Sequence, residues 1–132
     1  MAFPYGAFLA AFLATVGGPV PATDAAVPVV EQSVPLIEPA QLATLLKNHV
    51  RVVLVDVRRA DEFAAGHIEG AALMPLDTLA STYAQLPKDA KLVIYCRSGH
   101  RSAKAVSFLL EHGYDRAVSL HGGYLAWIAA QL

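Results

Sequence analysis

Two short, uninterrupted apolar runs constrain the fold of this chain more than any other feature. The first is Val52–Val55 and the second is Leu92–Tyr95. Such runs are typical of strands that are buried on both faces, as in parallel sheets. A helical pattern follows each run, and parallel strands need a crossover connection that is usually a helix. The sequence therefore predicts an α/β protein in which helices on both faces flank a small parallel β-sheet.

Further segments continue this alternation of strands and helices. Pro39 suits the first turn of a helix, and Pro87 stops one. Helices are predicted at residues 38–48, 77–86, 102–112 and 123–130, with a short helical turn at 61–65, and strands at 71–74 and 117–120. In such sheets ligands bind beyond the carboxyl ends of the strands, so the residues after Tyr95 are candidates for a functional site.

Size and charge narrow the class of protein. A chain of 132 residues suits one domain with a single core. The net charge of −1 gives no reason to expect a nucleic acid or an anionic membrane surface as a partner. Part of the 55% hydrophobic content is local, because residues 1–23 carry no charged side chain.

The N-terminal segment resembles an export signal. Residues 1–22 combine a short apolar stretch with small residues where a signal peptidase cleaves, so they predict a signal peptide, and residues 23–32 predict a linker. The expected location is periplasmic or secreted, without stable membrane insertion after cleavage. The alternatives are an uncleaved membrane anchor, or a cytoplasmic protein whose N-terminal segment packs on the domain.

Cys96 is the only cysteine of the chain and directly follows the second apolar run. A lone cysteine cannot form an internal disulfide or a thiolate zinc cluster. Three roles remain: a buried core residue, an intermolecular bridge or a reactive thiol. Export to an oxidising compartment favours the reactive thiol, because a free thiol there needs a reason to persist.

A polar loop follows Cys96 and leads into a helix. Its sequence is Arg97-Ser-Gly-His-Arg-Ser102, and residues 91–110 carry four Lys or Arg side chains and no acid. Cations and the N–H groups of a helix N-terminus favour the thiolate, which is the nucleophilic form of cysteine. The two serines add hydroxyl donors, and Gly99 lets the backbone turn inward. The loop therefore predicts a site for an anion centred on Cys96.

The chain resembles the rhodanese family of sulfurtransferases in three blocks that occur in the family's order. The blocks are Asp56-Val-Arg58 with Glu62-Phe63 and Gly66-His-Ile-Glu-Gly-Ala71, then Cys96-Arg-Ser-Gly-His-Arg-Ser102, then Gly122-Gly-Tyr-Leu-Ala-Trp127. The second block is similar to the family's active-site loop. The resemblance covers residues 33–132, which we interpret as a rhodanese domain, and none of residues 1–32.

The resemblance implies a thiosulfate sulfurtransferase with Cys96 as the catalytic nucleophile. Cys96 would take the outer sulfur of thiosulfate, release sulfite and hold a persulfide. Cyanide, a small thiol or a thioredoxin-like protein would accept that sulfur, and no metal or organic cofactor is needed. The expected substrate-binding residues are Arg97, Ser98, Gly99, His100, Arg101 and Ser102, with Asp56 and Arg58 as supporting residues.

The charged residues of the matched blocks have two expected roles, one in substrate binding and one in helix formation. Arg97 and Arg101 are expected to attract the dianionic donor and steady the leaving sulfite. Asp61 and Glu62 are interpreted as charges that favour a helix start, and not as a catalytic carboxylate pair.

Three other functions are alternatives to thiosulfate sulfur transfer. Tyrosine phosphatases resemble this design but place five residues between cysteine and arginine, whereas four separate Cys96 from Arg101. The smaller loop suits one sulfur atom better than a phosphate group. The second alternative is a persulfide carrier that passes sulfur to a protein partner, and it predicts an apolar docking patch. The third is an inactive binding domain, which the presence of Cys96 disfavours.

Overall fold

The computed structural model describes residues 33–131. The predicted signal peptide, residues 1–22, and the linker, residues 23–32, lie outside the described residues. The strands are β1 (Leu36–Ile37), β2 (Val52–Asp56), β3 (Ala72–Leu73), β4 (Lys91–Tyr95) and β5 (Ala117–Leu120). The α-helices are α1 (Pro39–Lys47), α2 (Ala60–Ala65), α3 (Leu79–Thr82), α4 (His100–Glu111) and α5 (Gly123–Ala129).

The five strands of the described residues form one parallel sheet in the order β1-β5-β4-β2-β3. The two apolar runs of the sequence are the neighbouring strands β2 and β4. Their register pairs Val52 with Lys91 at one end and Asp56 with Tyr95 at the other. The segments that follow Asp56 and Tyr95 therefore leave the sheet side by side.

Side chains of β4 alternate between two separate cores. Leu92, Ile94 and Cys96 face the core that α3 and α4 cover. Val93 and Tyr95 face the core that α1 and α5 cover. Because both faces are covered, the strand is apolar from Leu92 to Tyr95, which confirms the predicted α/β sheet with helices on both faces.

The prediction of one regular helix at residues 77–86 is wrong. The structure forms only four residues of α-helix there, between 3₁₀ turns at Leu76–Thr78 and Tyr83–Gln85. Ser81 Oγ and Thr82 Oγ1 both donate to the Thr78 carbonyl, at 2.9 and 3.3 Å. Hydroxyl groups that bond the local backbone compete with regular helical hydrogen bonds, which accounts for the broken helix.

The start of one helix and the presence of one strand also differ from the prediction. Helix α4 begins at His100 and not at Ser102, because Gly99 adopts a left-handed φ of 113° and turns the chain into the helix early. Strand β1 was not predicted, since two residues are too few to show a period. Its partner is β5, with Leu36 opposite Ser119.

Within residues 33–131, no helix combines the length and apolar character needed to cross a membrane.

Candidate active site

The candidate site lies where the chain leaves β2 and β4 at the carboxyl edge of the sheet. Cys96 is the first residue after β4, and the segment Val57–Arg59 follows β2. The Val57 N–H donates to the Tyr95 carbonyl at 3.0 Å, which extends the pairing of the two strands beyond their ends. The sheet register therefore brings the Asp56–Arg58 block and the Cys96 loop together.

The Cys96 sulfur lies under the loop and accepts hydrogen bonds from its backbone. The Gly99 N–H donates to Sγ at 3.1 Å and the Ser102 N–H at 3.4 Å. Sulfur that accepts N–H donors is favoured as the anion, because the thiolate is the stronger acceptor. Only 1% of Cys96 is exposed to solvent. The loop therefore encloses the sulfur and supplies hydrogen bonds to it.

Further donors of the loop remain unused. Among residues 33–131, no acceptor takes the backbone N–H groups of Ser98, His100 or Arg101. The last two belong to the first turn of α4, where helical N–H groups have no partner inside the helix. The loop thus has capacity to bind more negative charge than one thiolate.

Arg101 is held beside the loop by Glu62 of α2. The Arg101 guanidinium donates to both carboxylate oxygens, at 2.8 and 3.0 Å. The hydrogen bond from Arg101 is the main cause that lowers the pKa of Glu62 from 4.5 to about 2. The pKa of Arg101 is raised, first by Glu62 and also by negative charge on Cys96. Arg101 therefore lies close enough to the sulfur to interact with its charge, and it also forms an ion pair with Glu62.

Asp56 and Arg58 form a buried ion pair under the same edge. The Arg58 Nη2 donates to Asp56 Oδ2 at 2.7 Å and to the Gly66 carbonyl at 2.7 Å. The guanidinium also lies over the Tyr124 ring, 4.5 Å from its centroid. Asp56 and Arg58 thus connect the end of β2 to the α2 C-terminus and to α5, and both are buried.

The remaining loop side chains point outward. Arg97, Ser98 and His100 are exposed, while Gly99 is buried. The Arg97 guanidinium has no acidic partner among the described residues. The structure therefore brings the backbone of all six predicted loop residues to the site but leaves three of their side chains in solvent.

Helix α5 closes the loop from the other side. The Tyr124 N–H donates to the Cys96 carbonyl at 2.8 Å and the Leu125 N–H to the Arg97 carbonyl at 3.0 Å. Gly123 makes this approach possible, because its φ is +64° and a Cβ there would lie 2.6 Å from the Arg97 carbonyl oxygen. The start of α5 is thus joined directly to the backbone that positions the sulfur.

Two open surface pockets flank the loop. One of about 300 Å³ lies between the ends of β2 and α4 and includes Arg101. The other, of about 230 Å³, lies between α2 and α5 and includes Arg97, Leu125 and Ile128. Cys96 lines neither pocket. Each pocket is thus lined by one of the two loop arginines.

Three residues of the site were missed or misread from the sequence. Glu62 was interpreted as a helix-start charge, although it also binds Arg101. Gly123 lies in the third of the matched blocks, but the sequence predicts no role for it. Ser119 was not considered, and its hydroxyl lies 2.8 Å from that of Ser102. The only signal in the sequence was the position of Glu62 and Gly123 inside the matched blocks.

The fold and the site together define a class of protein. It is a parallel α/β domain in which a lone cysteine after a central strand is held by the N–H groups of a cationic loop. Comparison with known proteins narrows this class to a family.

Residues 38–130 match the rhodanese-like domain family. A protein named sulfurtransferase from Allochromatium vinosum is 40% identical over 91 residues, which cover 69% of this chain and 85% of that protein. The thiosulfate sulfurtransferase GlpE of Shewanella oneidensis is 40% identical over 76 residues, covering 58% and 75%. A rhodanese-like domain protein from Staphylococcus aureus has a similar structure, with a TM-score of 0.67, 36% identity and coverage of 70% and 90%. The chain belongs to the rhodanese-like domain family.

Proposed function

We propose that this protein is a thiosulfate sulfurtransferase that works through a persulfide on Cys96. The names of the relatives support sulfur transfer in general, and the GlpE match supports thiosulfate as the donor. The Cys96 thiolate attacks the outer sulfur of thiosulfate, a new S–S bond forms, and the S–S bond of the donor breaks. Sulfite leaves with the electron pair. An acceptor such as cyanide or a thiolate then removes the outer sulfur and restores the Cys96 thiolate.

One observation carries this proposal. The Cys96 sulfur already accepts two backbone N–H groups, and the loop holds three further N–H groups without an acceptor among the described residues. A persulfide adds one sulfur atom and keeps one negative charge, so it needs extra donors close to the first sulfur. The first turn of α4 supplies N–H groups there.

The two loop arginines have different parts in the proposal. Arg97 is exposed and unpaired within the described residues, so it offers a full positive charge to the incoming dianion. Arg101 shares its charge with Glu62, so its guanidinium is fixed in position beside the sulfur. Arg97 therefore attracts the donor, and Arg101 steadies sulfite as it leaves.

The first prediction concerns sulfur loading. Incubation with thiosulfate should add the mass of one sulfur atom to the intact protein, and cyanide should remove it, with thiocyanate as the product. Cys96→Ser should abolish both events, because the chain has no other cysteine. Ser81→Ala, which changes an exposed serine of α3 outside the loop, is the control and should still load. If Cys96→Ser forms thiocyanate at the wild-type rate, the proposed nucleophile is wrong.

A second candidate function is a sulfur relay to a protein acceptor. Leu125 and Ile128 are 45% and 52% exposed, and they lie in the pocket next to Arg97. Apolar side chains beside an unpaired cation suit a protein thiol that is flanked by an apolar residue and a carboxylate. A thioredoxin-like protein is an acceptor of this chemistry.

Comparison of acceptors separates the two functions. Ile128→Ser should slow transfer to a dithiol protein severalfold while transfer to cyanide is unchanged. Val50→Ser is the matched control, because Val50 is 45% exposed, close to the 52% of Ile128, but precedes β2 at the opposite edge of the sheet. Equal effects of Ile128→Ser and Val50→Ser on the protein acceptor would contradict the relay.

We also propose that residues 1–22 direct the protein to the periplasm or the exterior. The support is the apolar, uncharged composition of this segment. N-terminal sequencing of the exported protein should find a start after residue 22, and a soluble protein that starts at Met1 would contradict cleavage.

A further inference from the structure

Ser119 on β5 is a buried hydroxyl group for which the proposed reaction has no assigned role. Ser119 and Ser102 are both fully buried, and their Oγ atoms lie 2.8 Å apart. Ser102 is in the first turn of α4, and its own N–H donates to the Cys96 sulfur. Ser119 therefore reaches the nucleophile through one intervening side chain.

The direction of the hydrogen bonds follows from counting protons. A serine hydroxyl has one proton to donate and two lone pairs. Among the described residues, the Ser119 hydroxyl has Ser102 Oγ as its only acceptor. A buried donor without an acceptor is unfavourable, so the Ser119 proton points at Ser102. The Ser102 proton is then free to point away from Ser119.

Two acceptors compete for the proton of Ser102. The Gly99 carbonyl lies 3.2 Å from Ser102 Oγ, and the Cys96 sulfur lies 3.6 Å from it. While Cys96 is a thiol, its S–H donates to Ser102 Oγ and the Ser102 proton binds the Gly99 carbonyl. When the thiol loses its proton, the sulfur becomes the stronger acceptor, and the Ser102 hydroxyl can turn toward it.

We infer that Ser119 is a positioning residue that directs the Ser102 hydroxyl toward the ionised sulfur of Cys96. The hydrogen bond from Ser119 keeps Ser102 Oγ in place and polarises its O–H, because hydrogen bonds in a chain strengthen one another. The inference rests on the proposed use of Cys96 as the nucleophile, but it concerns only the ionisation of the thiol and not the sulfur donor.

The test measures ionisation of Cys96 directly. The ultraviolet absorbance of the thiolate is followed against pH, with Cys96→Ser as the baseline that removes the contribution of the tyrosines. Because the chain has one cysteine, the difference belongs to Cys96. Ser119→Ala should displace the profile to higher pH, so that the thiolate fraction at a fixed pH near its midpoint falls roughly two- to fivefold.

A double-mutant cycle distinguishes positioning from a general structural effect. In a Ser102→Ala background, Ser119→Ala should leave the profile unchanged, because the intervening hydroxyl is already absent. Ser119→Thr retains a hydroxyl and should restore the wild-type profile. The nearby charges stay in place in all these variants: Arg101 and Glu62 on α4 and α2, the Asp56–Arg58 pair after β2, and His100 and Arg97 in the loop. A shift therefore reports the hydroxyl groups.

Two results would overturn the inference. One is a Ser119→Ala profile that coincides with the wild type. The other is a shift of equal size in the presence and absence of the Ser102 hydroxyl. Thermal unfolding of each variant checks that the domain is folded over the pH range. Sulfur loading is measured separately, so a failure of the proposed function appears as an intact ionisation profile without loading.

Discussion

Asp56 and Arg58 are two opposite charges that the fold removes from water almost completely. Taking two charges out of water is costly, and good geometry with additional hydrogen bonds compensates for that cost. Here the guanidinium also donates to the Gly66 carbonyl and lies over an aromatic ring. Both charged side chains therefore have hydrogen-bond partners. Breaking this pair should lower the free energy of unfolding more than breaking a surface pair.

We predict that Asp56→Asn lowers the free energy of unfolding by about 3–5 kcal/mol, because it leaves the Arg58 charge buried and uncompensated. Chemical denaturation measures this value. Asp61→Asn is the control, since it breaks the exposed Arg59–Asp61 pair and should lower the free energy of unfolding far less. Similar losses for the two variants would show that the Asp56–Arg58 pair contributes no more than a surface pair.

Glu62 gives the stability of the domain a dependence on acid pH. Its pKa in the folded protein is about 2, below the ordinary 4.5, because of the hydrogen bond from Arg101. A lowered folded pKa contributes stability above the unfolded pKa, and that stability is lost as the pH falls from about 4.5 toward 2. The group therefore stabilises the fold at neutral pH and not in strong acid.

Glu62→Gln should accordingly reduce the free energy of unfolding by about 1–2 kcal/mol at pH 7, and this difference from the wild type should shrink as the pH falls below 4.5. Denaturation at several pH values measures it. Glu69→Gln, at an exposed residue without an ion pair among those described, should show no such trend. A Glu62→Gln effect that is constant with pH would contradict the assignment.

At the scale of secondary-structure elements, α5 holds the backbone of the Cys96 loop in place through hydrogen bonds. The N–H groups of its second and third residues bind the carbonyls of Cys96 and Arg97, so a shift of this seven-residue helix moves the loop backbone. Gly123 determines how closely α5 and the loop can approach, both by its positive φ and by its missing Cβ.

Gly123→Ala should therefore destabilise the domain by more than strain in φ alone, and it should slow sulfur loading in whatever fraction remains folded. Gly70→Ala is the matched control, because Gly70 has a φ of +90° and no atom within 4 Å of the added Cβ. Gly70→Ala should cost about 1–2 kcal/mol and leave loading unchanged. If the two variants lose equal stability and activity, the close contact with the loop is unimportant.

At the scale of the whole molecule, the order of the strands predicts that the sheet is most stable at its centre and least stable at its edges. β4 lies in the centre between β5 and β2, while the edge strands β1 and β3 have two residues each. Central strands with both faces covered open only when the whole domain unfolds, whereas short edges open locally.

Hydrogen exchange should show this gradient. The amides of β4 should exchange most slowly, at rates set by global unfolding, and those of β1 and β3 should exchange much faster. A matched comparison is between Ile94 at the centre and Met74 at the edge, whose N–H donates to the Asp56 carbonyl at 2.8 Å just beyond β3. Equal protection of the two amides would mean that the sheet opens as one unit.

The sequence by itself determined the class of fold and singled out Cys96 as the candidate nucleophile. Both depend on neighbours along the chain: a strand buried on both faces is a continuous apolar run, and the Cys96 loop is seven consecutive residues. Local periodicity and composition record such features directly.

The tertiary structure alone decided which distant groups meet at that loop. Glu62 binds Arg101 across 39 positions, and Ser119 contacts Ser102 across 17. A period assigns a residue to a face of a strand or helix, but the strand order and register determine what lies opposite it. The helix at residues 77–86 is broken for a local reason instead, because hydroxyl groups there bond the backbone and outweigh the helical pattern.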